Sequence, residues 1–387
     1  MSARDEVRRF RPTRVEIDAA ALSHNIRRMK DLLPPSSRLV VVVKADGYGH
    51  GAVETSRVAE REGVPMVAVA ILEEAIALRE AGIEIPILCL GPIGFEGARE
   101  AVRLRITPGI TGLDNLDAVA SAVRDSNDPL DIHLKLDSGM GRMGLVSEDL
   151  HRVAKTLDST ALRVAGIYTH YSNASTPDDP LNATQRLRFE QMLSTLDGLG
   201  VRAPVHHTAN SAAIAAGLVR EGEWARAGIA IYGGNPMDET ELDGLRPVMR
   251  WSTAIARLKW LEEGEVVGYG KAFVTRRRTR VATLPIGYAD GYHRSLSGRS
   301  EVLVHGLRAP VIGRVSMDLI TIDVTEIENV STGDEVVLLG RQGDGIITAE
   351  ELARLAGTIN YEIFTSVSKR VPRVWVTPRP GALESRR

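Results

Sequence analysis

The sequence predicts an α/β protein with an N-terminal (β/α)8 barrel, residues 12–246, and a mostly-β domain, residues 247–387. Three observations carry this. Apolar runs and helical stretches alternate eight times over about 220 residues, the rhythm of a closed parallel barrel. That rhythm stops at Leu245-Arg246-Pro247. Beyond it come short β-branched runs bounded by turn residues, the mark of a β domain. A doubly wound sheet is the alternative for the first part, and the even spacing favours closure.

In order, Val15-Glu16-Ile17-Asp18 reads as a short strand, and 19–33 as a helix stopped by Pro34-Pro35. Strands follow near 38–43, 66–70, 86–90, 106–109, 131–136, 163–168, 205–208 and 223–226. Helices are expected over 51–62, 73–81, 95–103, 113–124, 147–157, 184–199 and 211–218. Leu187, Met192, Leu193 and Leu196 show the clearest amphipathic spacing. In the second domain, strand runs occupy 251–260, 265–275, 280–286, 300–304, 309–313, 319–324 and 335–339. Thr348-Ala349-Glu350-Glu351 is a capping box opening a helix. Residues 1–11 and the last eight residues read as frayed ends.

The 387 residues are 43% hydrophobic and 25% charged, with a net charge of -2, which points to no nucleic-acid or membrane partner. The single cysteine, Cys89, excludes an intrachain disulfide and fits a reducing compartment. No apolar run is long enough to span a membrane, and charges precede the first one, so a cytoplasmic protein is expected.

In a barrel, chemistry sits at the carboxyl ends of the strands. Leu39 to Val43 are five consecutive branched apolar residues, a strand buried on both faces, and Lys44 follows at once. A cation there is either used by a site or reaches out into water. Tyr48 follows Lys44, and Lys135 and Arg142 follow the fifth strand. Next come His170, then Asn210-Ser211 opening a helix, then Arg226 and Gly228. Ser211 at a helix N-terminus and Gly228 in a tight turn make a phosphate site plausible; taken alone, each is a cap and a turn. A lysine and a phosphate site in one mouth suggest pyridoxal 5'-phosphate, bound to the lysine as a Schiff base. His206-His207 is not read as a metal pair, because adjacent strand residues face opposite ways and no ligand set completes them. Arg276-Arg277-Arg278 reads as a solvated hairpin end.

The motifs then fall into a known pattern. VVVVKADGYGHG at 40–51, KLDSGMGRMG at 135–144, IYTHYS at 167–172, HTANSAA at 207–213 and RAGIAIYG at 226–233 resemble the alanine racemases. So do VGYG at 267–270, IGYADGY at 286–292, GRVSMD at 313–318 and INYEIF at 359–364. The resemblance runs from about residue 12 to residue 375, in order. It implies a fold-type III enzyme that interconverts L- and D-alanine and supplies D-alanine for peptidoglycan. It also implies a head-to-tail homodimer with shared active sites.

By this resemblance Lys44 carries pyridoxal phosphate. Tyr48, Ser211, Tyr361 and the amides of Gly228 and Ile229 hold the phosphate, and Asn210 belongs to the same shell. Arg142 faces the phenolic oxygen and Arg226 the pyridine nitrogen. Tyr269, from the partner chain, is the second base, supported by His170. Arg142 and the amide of Met317, also from the partner, grip the substrate carboxylate. Lys135 corresponds to a lysine often carried as N6-carboxylysine. Racemisation removes a proton from one face and returns it to the other, which calls for two bases. The resemblance gives Lys44 the D-enantiomer and Tyr269 the L-enantiomer. Two departures, Ser316 in place of cysteine and no acidic residue near Ser175, bear on substrate breadth. The rivals are a pyridoxal phosphate decarboxylase barrel, a non-catalytic cofactor-binding barrel and a broad-specificity racemase.

Overall fold

The computed structural model describes residues 10–124, 129–238 and 240–376. The expectations for residues 1–9 and the last eight residues lie outside them. The chain divides into two compact units, one Leu22–Arg246, the other formed by the segment through Ala21 together with the chain from Pro247 onward.

The N-terminal strand β1 (Arg14–Asp18) belongs to the second unit. It alternates half-buried and buried residues, as a strand with one covered face does. Asp18 caps helix α1 (Ala19–Asp31), its Oδ1 accepting from the amides of Ala20 and Ala21 at 2.8 and 2.9 Å.

The first unit is a closed barrel of eight parallel strands. They are β2 (Arg38–Val42), β3 (Met66–Val69), β4 (Ile87–Cys89), β5 (Ile106–Ile110), β6 (Leu130–Lys135), β7 (Leu162–Tyr168), β8 (Val205–Ala209) and β9 (Trp224–Ala227). Strand β9 closes the ring on β2, Val40 opposite Arg226. All four residues of β3 and four of the five in β2 are buried, because helices cover the outside and side chains fill the inside. A one-turn element, α2 (Lys44–Tyr48), follows β2. The later helices are α3 (Ala52–Arg61), α4 (Leu72–Glu80), α5 (Phe95–Leu104), α6 (Leu113–Ala122), α7 (Leu150–Asp158), α8 (Pro180–Gly198) and α9 (Ser211–Ala215).

The second unit is built on one long sheet, with a separate small hairpin. Its strands are β10 (Met249–Ala254), β11 (Arg257–Leu261), β12 (Val266–Val267), β13 (Phe273–Val274), β14 (Thr279–Leu284), β15 (Glu301–Val304), β16 (Leu307–Ile312), β17 (Ile320–Asp323), β18 (Glu335–Gln342), β19 (Gly345–Ile347) and β20 (Arg373–Val376). Strand β1 pairs antiparallel with β10 and parallel with β20.

The expected run 251–260 is two strands. The amide of Ile255 bonds to Asp334 and that of Ala256 to Thr283, so the chain changes neighbours there. The capping box opens α10 (Ala349–Ala356), with Thr348 accepting from Glu351. Helix α11 (Asn360–Ser366) and strands β19 and β20 were not foreseen. The frayed reading of the N-terminus stops short of Arg11, which makes a two-pronged ion pair with the fully buried Asp290 at 2.7 and 3.0 Å.

Candidate active site

The turn after β2 is the most constrained backbone of the barrel. Ala45, Asp46, Gly47 and Tyr48 all have φ between 51° and 61°. For non-glycine residues this left-handed region costs about 1–2 kcal/mol each. The turn therefore persists only because it is tied down. Glu74 Oε1 accepts from the Ala45 amide at 2.6 Å, and Asp46 Oδ1 from the Ala52 amide at 2.9 Å. The His50 ring bonds through Nδ1 to the Tyr48 carbonyl at 2.9 Å. Lys44 begins the turn, half-buried. Burial, then Arg142, lowers its proton affinity, and Glu74 opposes them.

The turn delivers Tyr48 to the loops after β8 and β9. Its ring stacks on Tyr232 with centroids 5.0 Å apart, and Tyr232 donates to the Val42 carbonyl at 3.0 Å. A Cβ placed on Gly228 would fall 2.3 Å from the Tyr48 hydroxyl oxygen, so any side chain there would have to push the Tyr48 ring aside. Asn210, not Ser211, caps α9: its side chain accepts from the Ala213 amide at 2.9 Å. Ser211 is the first helical residue, and its Oγ accepts from the Gly228 amide at 2.9 Å. Tyr48, Ser211 and the Gly228-Ile229 turn, far apart in sequence, thus form one cradle.

Arg226 is almost fully buried. Its NH1 donates to His207 Nδ1 and to the His207 carbonyl at 2.7 and 2.8 Å. Its NH2 donates to the carbonyls of Thr169 and Thr208 and to His170 Nδ1 at 2.7, 3.1 and 3.2 Å. Burial lowers it to about 10, still protonated at neutral pH. The Tyr168 ring stacks on His207 at 4.7 Å, and His207 bonds onward to His133. Burial, with Arg226 beside them, holds His207 and His170 well below the usual histidine range. The paired histidines diverge as expected: His207 fills the barrel, while His206 packs edge-on against Phe189. Among the described residues no group of His, Cys, Asp or Glu could hold a metal ion.

Lys135 is buried at the end of β6 and lowered to about 8 by burial, then by Arg142 and Arg226. Asp137 shapes the following loop by accepting from the amides of Gly139, Met140 and Gly141. The exposed Arg142 leaves that loop. Lys44, Lys135, Arg142 and Arg226 thus bear on one another at one barrel mouth. The carboxylates acting on them are already engaged: Glu74 and Asp137 by backbone amides, and Glu223, which bears on Arg226, by Arg186. The arrangement suits a ligand carrying more than one negative group.

The remaining expected residues stand on the second unit. Tyr269 is 72% exposed, at the tip between β12 and β13. Met317 is 53% exposed, in the loop between β16 and β17 that also holds Ser316. That loop is pinned: the Tyr288 and Ala289 amides bond to the carbonyls of Ser316 and Met317, both at 3.0 Å. Gly287 permits it, since a Cβ there would lie 2.3 Å from both carbonyls. Tyr361 is in the first turn of α11. Sequence reasoning missed Glu74, His133 and Tyr168. Only Glu74 left a signal, an acid three residues after Ile71 at a helix start.

The family model described as alanine racemase, N-terminal domain, matches residues 17–236, and that described as alanine racemase, C-terminal domain, matches 248–375. The alanine racemase of Syntrophobacter fumaroxidans is 42% identical over 357 residues, covering 92% of this chain and 95% of its own length. That of Carboxydothermus hydrogenoformans is 40% identical, covering 95% and 100%. The alanine racemase structure from a D-cycloserine-producing Streptomyces lavendulae superposes with a TM-score of 0.90 at 35% identity, covering 95% of this chain and 98% of its own. The Bacillus anthracis enzyme with bound L-Ala-P gives 0.88 at 36%, covering 96% of each.

Proposed function

The chain belongs to the alanine racemase family, and from that premise we propose that it interconverts L- and D-alanine with pyridoxal 5'-phosphate held on Lys44. The observation that carries the cofactor is the gathering of Lys44, Lys135, Arg142 and Arg226 beside the Ser211–Gly228 cradle. A phosphate and an amino-acid carboxylate supply the negative charge this mouth lacks.

The donor set fits the cofactor. Ser211, Tyr48 and the amides of Gly228 and Ile229 would take the phosphate end, with Asn210 fixing the helix start, and the family resemblance adds Tyr361 to that role. The bare Cα of Gly228 lets the Tyr48 hydroxyl come close to the cradle. Arg226 would face the pyridine nitrogen. A guanidinium still protonated at neutral pH gives a hydrogen bond and no full proton, which tempers electron withdrawal and favours racemisation over decarboxylation. Bound there, pyridoxal phosphate would supply an electron sink for the charge developing at Cα.

Lys44 would hold and return the proton on one face. Its lowered proton affinity suits a base. The second base is assigned to the partner subunit's Tyr269, in a homodimer; its 72% exposure in one chain supports this. Arg226 donates to His170 Nδ1 at 3.2 Å and the side-chain amide nitrogen of Asn210 lies 3.4 Å from Nε2, which holds the ring in place, and His170 would support that tyrosine. Arg142 and the amide of the partner subunit's Met317 would hold the substrate carboxylate. Lys135, near 8, keeps enough neutral amine to take up carbon dioxide and become N6-carboxylysine, an anion that would orient Arg142. We assign the D-alanine to peptidoglycan synthesis and the enzyme to the cytoplasm, where its one buried cysteine stays reduced. Among the described residues no helix is long and apolar enough to cross a membrane.

The test has two arms. Borohydride reduction with pyridoxal phosphate, then peptide mapping, should place the adduct on Lys44; an adduct on Lys135 would refute the assignment. In heavy water Tyr269→Ala should stop α-proton exchange from L-alanine and keep it from D-alanine. Equal residual exchange from both would mean one base serves both faces.

A further inference from the structure

Glu74 does more than a helix cap requires. A cap at this position needs one carboxylate oxygen, and Oε2 provides it, accepting from the amides of Ala70 and Ile71 at 2.8 and 3.3 Å. Oε1 turns the other way and takes the Ala45 amide at 2.6 Å. Ala45 is the residue after Lys44 and the first of the four left-handed residues. Glu74 therefore ties the end of β2 to the loop after its neighbour β3. Both oxygens are held by backbone donors, so its charge is fixed one peptide away from Lys44.

We propose that Glu74 is a positioning residue for the racemase: it clamps the strained turn that holds Lys44 at the barrel mouth, and its charge sets how firmly that lysine keeps a proton. This rests on reading Lys44 as the cofactor lysine. The groups bearing on Lys44 are Arg142, Lys135, His170, the Tyr48 ring at 6.0 Å and Glu74. Glu74 is the carboxylate among them. Burial and then Arg142 drive the lysine toward its neutral form, and Glu74 holds it back. Without that restraint Lys44 would accept a proton less readily, and a base must accept one to complete its half of the reaction.

The experiment separates charge from clamp. In cofactor-free protein, competitive acetylation of Lys44 is followed by mass spectrometry across pH. Glu74→Gln and Glu74→Ala should lower the half-labelling pH by about 0.5–1 unit. Glu74→Asp keeps the charge but is too short to span both donors. It should keep the wild-type midpoint while Ala45 amide exchange rises roughly tenfold. In loaded enzyme, Glu74→Gln should lower kcat about tenfold with KM little changed, and move the acid limb of kcat for D-alanine to lower pH. An unmoved labelling midpoint, or an unmoved kcat, in Glu74→Gln would overturn the proposal and leave Glu74 a cap. If Glu74→Ala does not fold, the isosteric Glu74→Gln decides. The wild-type borohydride adduct tests the Lys44 reading separately, since it does not involve Glu74.

Discussion

His133 and His207 meet inside the barrel, Nδ1 of the first 2.8 Å from Nε2 of the second. Arg226 holds the other nitrogen of His207 at 2.7 Å. A guanidinium only donates, so His207 accepts at Nδ1 and carries its hydrogen on Nε2, which it gives to His133. One buried arginine thereby sets the tautomer of two rings, and both are neutral.

Their neutrality makes stability depend on pH. His133 sits at about 4 against an ordinary 6.5, because burial disfavours its charged form. Between those values the unfolded chain binds a proton that the folded chain refuses. Stability is full above the unfolded value and falls as pH drops through the window, by on the order of 3 kcal/mol for this residue. Urea unfolding near neutral pH and at about pH 4.5 should show the loss, and His133→Asn should make it shallower. An unchanged slope would place the proton uptake elsewhere.

Gly228→Ala is expected to damage the cradle. The new methyl would lie 2.3 Å from the Tyr48 oxygen and 2.8 Å from its ring carbon, and that ring is backed by Tyr232. Overpacking should cost about 1–3 kcal/mol. Thermal melting of cofactor-free protein measures that cost, and absorbance titration should show pyridoxal phosphate bound at least about tenfold more weakly. Wild-type affinity would mean the loop can move aside.

Lys135→Ala is expected to lose most activity and regain part of it with added short carboxylates, which replace the carbamate. With the lysine near 8, wild-type activity should also rise on adding bicarbonate at mildly alkaline pH, where more amine is neutral. Carbon-13 NMR with labelled bicarbonate reads the carbamate directly. No labelled signal and no rescue would leave Lys135 a plain buried amine.

Mixed dimers test the shared site. Lys44→Ala and Tyr269→Phe chains, each inactive, should recover activity after subunit exchange, because one of the two sites in a heterodimer is then intact. About a quarter of wild-type activity is expected from random mixing. No recovery after confirmed exchange would assign Tyr269 to the site of its own chain.

Much of this was legible without coordinates. The Val40–Val43 run followed by Lys44, the helix start at Asn210-Ser211 and the break at Pro247 are local signals, set by side-chain period and turn chemistry. They determined the barrel, its order and most of the residues at its mouth. The helix cap was placed one residue late, on Ser211, because Asn and Ser both suit that role and only geometry chooses between them. Strand β1 was assigned to the barrel's stretch of chain, although its alternating burial belongs to a one-sided sheet. Tertiary structure alone decided the rest. The left-handed turn at Ala45–Tyr48 has a glycine only at Gly47, and it exists because Glu74, Ala52 and Tyr232 hold it. Arg226, His207 and His133 form a chain because barrel closure brings β6, β8 and β9 around one interior. Composition can name such residues, but their charge, tautomer and partners depend on burial and on contacts between strands far apart in sequence, which no local pattern encodes.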